Sequence, residues 1–192
     1  MVLPIVAYGD TVLKKKANPV DLLDPNLTAV VDNMFETMYG ARGVGLAAPQ
    51  VGLSIRLFIV DAAPFAADEE DPALSTALSD FKRIFYNPEI VSEEGEEWGF
   101  EEGCLSIPEI HETIFRKPVV VLKHQLLDGT WVEERLEGLA ARIVQHEHDH
   151  IEGVLFTDRL SALRKRMLKG RLSAIAKGLI SVAYRMKFAP GK

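Results

Sequence analysis

Gln145-His146-Glu147-His148-Asp149-His150 is the stretch that decides how this chain is read. It contains His-Glu-x-x-His, with His146 and His150 four residues apart. On an α-helix that spacing puts both imidazoles on one face, one turn apart, where each can offer a nitrogen to a single transition-metal ion. Glu147 is rotated about 100° around the axis from His146. It is out of line for a third ligand from the same helix, but it can reach a water on the open side of an ion, where a general base belongs. So polar a stretch also suits a plain solvated helix face. The extended signature with a third His six residues on is absent, because position 156 is Phe156, so a third ligand must come from elsewhere.

Working outward, Leu139, Ile143, His146 and His150 share one helical face, with Gly138 opening the helix and Gly153 placed to end it. Downstream, a second helix is predicted from about Ser161 to Lys177 with Leu163, Met167, Leu172 and Ile175 inward, and a last strand from Ser181 to Phe188. Upstream, Pro118 to Leu127 and Thr130 to Leu136 flank Asp128-Gly129, a hairpin signal. Arg83 to Ile90 reads as a strand interrupted near Asn87-Pro88, and Ser92 to Glu97 as an acidic turn. Ala62 to Asp80, rich in Ala, Pro and acids, reads as a surface excursion. Arg56 to Asp61 reads as a buried strand.

The segment Gly43-Val44-Gly45-Leu46-Ala47-Ala48-Pro49-Gln50-Val51-Gly52 has glycines that let a backbone come close to something. They are not spaced as a dinucleotide loop, and a tight helix-to-strand loop is the plainer reading. Before it, Asp24 as N-cap and Pro25 at the first position start a helix on which Leu27, Val30, Val31, Met34, Phe35 and Met38 recur, with Gly40 ending the run. Gly9-Asp10 caps a short turn over Thr11 to Lys15. There is no internal repeat or low-complexity tract.

The 192 residues are hydrophobic at 47%, with a mean hydropathy of +0.05, which suits one globular domain over residues 1–192. No apolar run has the length of a membrane span, and Met1 to Ile5 lack the pattern of a secretory signal. One cysteine excludes an internal disulfide, and the expected compartment is the reducing cytoplasm. The net charge of -6 is unevenly spread. Arg159 to Lys192 hold ten basic residues and no acidic one, while the other 158 residues hold 12 basic and 28 acidic.

That one cysteine, Cys104, follows a glycine and acidic residues in Glu102-Gly103-Cys104-Leu105-Ser106, a stretch that does not read as core. Two histidines and a cysteine make a three-ligand site with water in the fourth position, and a thiolate donates more charge than a carboxylate. Two other classes compete. One is a general metalloprotease, against which Cys104 argues, since such enzymes take a His or Glu as third ligand. The other is a structural metal site, for which His124 or His111 would have to be a fourth ligand.

Together, Gly43 to Gln50, Glu102 to Ser106 and Gln145 to His150 resemble the three motifs of peptide deformylase, in the family's order and at similar intervals, over nearly the whole chain. The resemblance implies an α+β single domain of antiparallel β-sheets packed around a central metal-binding helix. It implies removal of the N-terminal formyl group, as formate, from formyl-methionyl nascent peptides. By resemblance Cys104, His146 and His150 hold one divalent metal ion, physiologically Fe2+, with Zn2+, Ni2+ or Co2+ able to replace it. Glu147 takes a proton from the attacking water and passes it to the leaving amine. Gln50 and the Leu105 backbone N–H stabilise the oxyanion. The backbone of Gly43, Val44, Gly45 and Gly103 meets the peptide as an added strand, with Val44, Leu139 and Ile143 around the methionine side chain. Glu102 and Arg116 form a supporting ion pair. The basic segment 162–192 implies ribosome docking through phosphates, with no membrane and no sequence-specific nucleic acid. Three features depart from the family pattern. Arg142 stands where some relatives have an aliphatic residue, which suggests a more polar pocket rim. His148 and His111 are not family ligands. The 62–80 excursion is long and has no assigned role.

Overall fold

The computed structural model describes residues 1–189. In chain order the elements are β1 (Ile5–Val6), α1 (Leu27–Gly40), β2 (Gly45–Ala47), β3 (Leu57–Asp61), α2 (Ala63–Ala66), α3 (Pro72–Ser79), β4 (Lys82–Glu94), β5 (Trp98–Cys104), β6 (Ile107–Arg116), β7 (Val119–Gln125), β8 (Trp131–Glu137), α4 (Gly138–Ile151), α5 (Ala162–Ala176) and β9 (Met186–Lys187). A five-stranded antiparallel sheet runs β2-β3-β4-β7-β8, the β5–β6 hairpin stands apart, and β1 and β9 pair in parallel. Strands and helices are intermixed, which is the expected α+β architecture with antiparallel sheets around a central helix.

That helix is α4. Its Ala141, Ile143, Val144 and Ile151 pack on Phe58, Val60, Phe85, Val120 and Leu122 of the large sheet. The other side of the sheet meets α1, where Leu27, Val31, Met34 and Met38 recur at helical spacing and are buried with Leu46, Leu57 and Ile59. A third cluster joins β6 to α5 through Ile107, Ile110, Ile114, Leu168, Leu172 and Ile175. On β6 every second residue is buried, the alternation of a strand with one face on a core.

Several sequence expectations hold. Asp10 caps the turn at Thr11–Lys14 by accepting from Val12 N at 2.9 Å. Ser161 caps α5, and its side chain accepts from Arg164 N. The β7–β8 hairpin turns at Asp128-Gly129, and Gly153 follows α4 with φ +75°. The interruption near Asn87-Pro88 is a bulge: Asn87 has φ +49°, and its side chain bonds Val20 N and O and Gln125 Oε1 at 2.7, 3.1 and 2.7 Å.

Others need correcting. α1 begins at Leu27, because Asp24 accepts from Asn26 N at 2.8 Å and caps a turn that precedes the helix. The 62–80 segment is helical as α2 and α3, and Asp71-Pro72 is the cap-and-proline start that composition masked, with Asp71 accepting from Ala73 N at 2.8 Å. β4 extends to Glu94, which narrows the acidic turn to the residues around Gly95. On α5, Leu163 and Met167 are 68% and 63% exposed, and Leu168 is the inward residue beside Leu172 and Ile175. The last strand shrinks to Met186–Lys187. The β5–β6 hairpin, read as no strand at all, is the largest omission.

Candidate active site

α4 brings His146 and His150 to one face, with ring centroids 5.1 Å apart. Cys104, at the end of β5, faces them, and its Sγ lies 3.3 Å from His150 Nε2. The donor atoms of Cys104, His146 and His150 all lie within 4.8 Å of one another. Metal bonds of about 2.1 Å to nitrogen and 2.3 Å to sulfur give a tetrahedral N–S edge of about 3.6 Å, close to the Cys104–His150 separation. A soft thiolate and two imidazoles are a donor set suited to a first-row transition metal, so the residues fit an ion.

The orientation of His146 is set from behind. Its Nδ1 sits 2.9 Å from Glu102 Oε2, which leaves Nε2 for the cluster. Glu102 also accepts from Arg116 Nε and Nη2 at 2.7 and 3.0 Å and from Arg142 Nη1 at 3.1 Å. Arg116 reaches on to Asp149 at 2.8 Å, and Arg159 closes the chain with two bonds to Asp149 at 2.7 and 2.6 Å. Burial opposes ionisation of Glu102, but its bonds to His146 and Arg116 outweigh burial and hold the carboxyl far below the usual range. Each charge in the network has opposite charges bonded to it, which is the condition for burying it.

Burial also opposes the Cys104 thiolate, yet the charge of His150 and the bond to His146 bring the thiol down to about 5. Burial pushes the Glu147 carboxyl up to about 7, against the pull of His146 and His150. Glu147 Oε2 is buried with no hydrogen-bond partner among the described residues, a cost that proteins accept where a polar atom has a task. A Cβ on Gly45 would stand 2.4 Å from Glu147 Oε1, so only glycine lets β2 pass so close to that carboxylate.

Gln50 enters from the turn after β2 and is 2% exposed. Ala47 N donates to Gln50 Oε1 at 2.9 Å, which aims the amide NH2 at the site: Nε2 lies 3.4 Å from Cys104 Sγ and 3.3 Å from Ser106 Oγ. These groups open on a cleft of about 790 Å3 bordered by Gly43, Val44, Gly45, Gly103, Leu139 and Ile143, all marked from sequence. β2 is an edge strand, and among the described residues no strand lies beside the edge turned from β3.

Sequence reading missed Phe65, Phe100 and Tyr184 in the same cleft. Phe100 had a signal, since Trp98, Phe100, Glu102 and Cys104 recur at the period of a strand. Phe65 comes from α2 and meets Phe100 edge-on at 6.2 Å, so the 62–80 excursion supplies part of the cleft wall. Arg142 borders the cleft but does not make its rim polar. It is 3% exposed, donates to Trp98 O and Ile114 O at 2.7 and 3.0 Å, and lies 4.5 Å over the Trp98 ring. His148 lies among Glu152, Arg56 and Asp149, and burial lowers it to about 4. His124 is bonded to Glu134 at 2.7 Å and packs on Phe85, and His111 stands against Gly103; neither belongs to the cluster, so the fourth ligand of a structural site is missing among the described residues.

A family model described as polypeptide deformylase matches residues 2–166. The chain belongs to the polypeptide deformylase family. It is 54% identical to the peptide deformylase of Christiangramia forsetii over 195 residues, covering 100% of this chain and 98% of that one. It is 53% identical to that of Flavobacterium johnsoniae over 193 residues, with 100% and 98% covered. Among solved structures it is similar to a peptide deformylase from Legionella pneumophila, with a TM-score of 0.77, 39% identity and 93% and 98% of the two chains covered. The deformylase from Thermotoga maritima gives a TM-score of 0.73 at 43% identity, with 84% and 99% covered. Deformylases are metal-dependent, which agrees with the donor set of Cys104, His146 and His150.

Proposed function

We propose that this chain is a metal-dependent amidohydrolase that removes the formyl group from formyl-methionyl polypeptides and releases formate. The observation that carries the reading is the convergence of Cys104, His146 and His150 beside the buried Glu147 carboxylate, one oxygen of which has no partner among the described residues. Those three ligands would hold the ion, which would supply Lewis acidity at the formyl carbonyl and lower the pKa of a water. Glu147 accepts the proton of the attacking water and delivers it to the leaving amine as the C–N bond breaks. Gln50 Nε2 and the Leu105 backbone N–H donate to the oxygen that becomes negative. The free edge of Gly43 to Gly45 takes the peptide as an added strand opposite Gly103, and Val44, Leu139 and Ile143 receive the methionine side chain, with Phe100 and Phe65 beyond.

The family resemblance favours Fe2+ as the physiological ion, and the same donors accept Zn2+, Ni2+ or Co2+. Nascent chains as substrate place the activity in the cytoplasm; no helix among the described residues is long and apolar enough to cross a membrane. Residues 1–192 act as one catalytic unit, with 162–192 as a basic appendage for ribosome docking. The structure narrows its free charge. Arg164 pairs with Glu112, Lys165 donates to Asp158 O and Arg171 to Glu109 O, while Arg166 and Lys169 are exposed beside Leu163 and Met167. The test is formate release from formyl-Met-Ala-Ser by anaerobically purified protein, with metal content measured on the same sample. Turnover with about one metal per chain supports the reading; cleavage of internal peptide bonds without formate sinks it.

A further inference from the structure

The turn Leu105–Ser106 joins β5 to β6 directly after Cys104. Beside the packing of the Leu105 side chain on the α1 core, three long-range hydrogen bonds among the described residues hold it. Tyr8 N donates to Ser106 O at 2.8 Å, Gln50 Nε2 lies 3.3 Å from Ser106 Oγ, and the Tyr184 hydroxyl donates to Leu105 O at 2.8 Å. Tyr184 comes from the segment after α5, beyond residue 166, where the match to the family model ends. That segment is anchored rather than loose. β9 pairs with β1 through Ile5↔Met186 and Val6↔Lys187, Ile5 N donates to Arg185 O and Ala7 N to Lys187 O, each at 2.8 Å, and Ile180, Met186 and Phe188 pack on the core shared by β6 and α5. Between these anchors, Ser181 to Tyr184 form a wall of the cleft.

From this arrangement we infer that Tyr184 is a positioning residue, which fixes the Leu105 turn and so aims the Leu105 N–H at the oxygen of the reacting carbonyl. The physical reason is that a two-residue turn has few constraints of its own. The peptide planes on either side of the Leu105 Cα turn only through its φ and ψ; with Cys104 held by its pairing to Ile107 and the Leu105 carbonyl tied by Tyr184, fewer combinations remain for the amide between them. Preorganised donors stabilise developing charge only where they need no reorientation during the reaction. The C-terminal segment thus completes the site from outside the matched region. The inference rests on the deformylase reading.

The experiment uses the full-length, metal-loaded protein with Tyr184→Phe, which keeps the ring and removes only the donor. With formyl-Met-Ala-Ser, kcat should fall about two- to tenfold, the weight of one hydrogen bond, with KM and metal content unchanged. Hydrogen exchange at the Leu105–Ser106 turn should rise by a similar factor, with or without metal. An unchanged kcat and unchanged exchange would overturn the inference. So would a change in KM alone, which means a substrate contact, or a fall in kcat that tracks lost metal, which means support of Cys104. If the parent released no formate, the deformylase reading would fail, while the exchange comparison would still decide whether Tyr184 holds the turn.

Discussion

The β7–β8 and β5–β6 hairpins, both antiparallel, are built in opposite ways. β7–β8 is regular: its register runs unbroken from Val119↔Glu137 to Gln125↔Trp131, and its turn is closed by Leu126 N donating to Thr130 O at 2.8 Å. β5–β6 is regular from Trp98↔Arg116 to Gly103↔His111 and then jumps to Cys104↔Ile107, with Glu109 in the displaced stretch at φ +64°. The regular hairpin satisfies its own backbone and supplies β8 as a sheet edge. The irregular one gives up ladder bonds, and the backbone of its Leu105–Ser106 turn is met by Tyr184 and Tyr8 instead. The jump in register is what carries Cys104 up to the histidines. Bulges of this kind re-aim side chains near functional sites.

Changes near the jump should therefore cost activity, and changes in β7–β8 should cost stability alone. Among changes around the jump, the largest effect is expected at Gln50, whose amide touches Cys104 and Ser106. Gln50→Ala should lower kcat by about 10²–10³ with little change in KM; steady-state kinetics with a formylated peptide would show it, and a pure KM effect would contradict the oxyanion role. Next is Glu102→Gln on β5. It weakens the support of His146 and should cost about 10–100-fold in metal affinity, read by titration against a competing chelator.

In the regular hairpin, Gly129 sits at φ +87° with open space around it. Gly129→Ala should destabilise by about 1 kcal/mol through backbone strain, measured by denaturant unfolding, with kcat unaltered. A kcat loss there would erase the distinction between the two hairpins. The smallest effect is at Glu134 of β8. Its bond to His124, ahead of the opposing burial, holds its pKa below the ordinary value. A depressed folded pKa adds stability above the unfolded value of about 4.3, and that stability is lost as pH falls through the lower folded pKa. Because Glu134 is partly in water, Glu134→Gln should cost no more than about 0.5 kcal/mol at neutral pH. The two proteins should converge in stability in acid.

The same contrast explains what was legible in the sequence. β7–β8 and α4 announced themselves because their signals are local: an Asp-Gly turn, a four-residue His spacing, and glycines at both ends of a periodic run. β5–β6 hid its alternation behind Gly99, Gly103, Pro108 and a run of acids, although Trp98, Phe100, Glu102 and Cys104 kept the period of a strand. On α5 two apolar rows compete, Leu163 with Met167 and Leu168 with Leu172 and Ile175, and only the tertiary core selects the second. Phe65 and Tyr184 reach the cleft through contacts far apart in sequence, for which no local pattern exists. The histidines, the cysteine and Glu147, which the fold brings together, stand out in the sequence because metal chemistry restricts residue type and spacing more tightly than packing does.

The proposed chemistry turns on Glu147, as the proton carrier beside an ion that Cys104, His146 and His150 would hold. The most direct measurement is formate release from formyl-Met-Ala-Ser by the parent and by Glu147→Ala, with metal content determined on both. About one metal per chain is expected in each protein, with a turnover about 10²–10⁴ lower in the variant. A variant that keeps the parent's rate, or that loses its metal while its residual turnover persists, would contradict it.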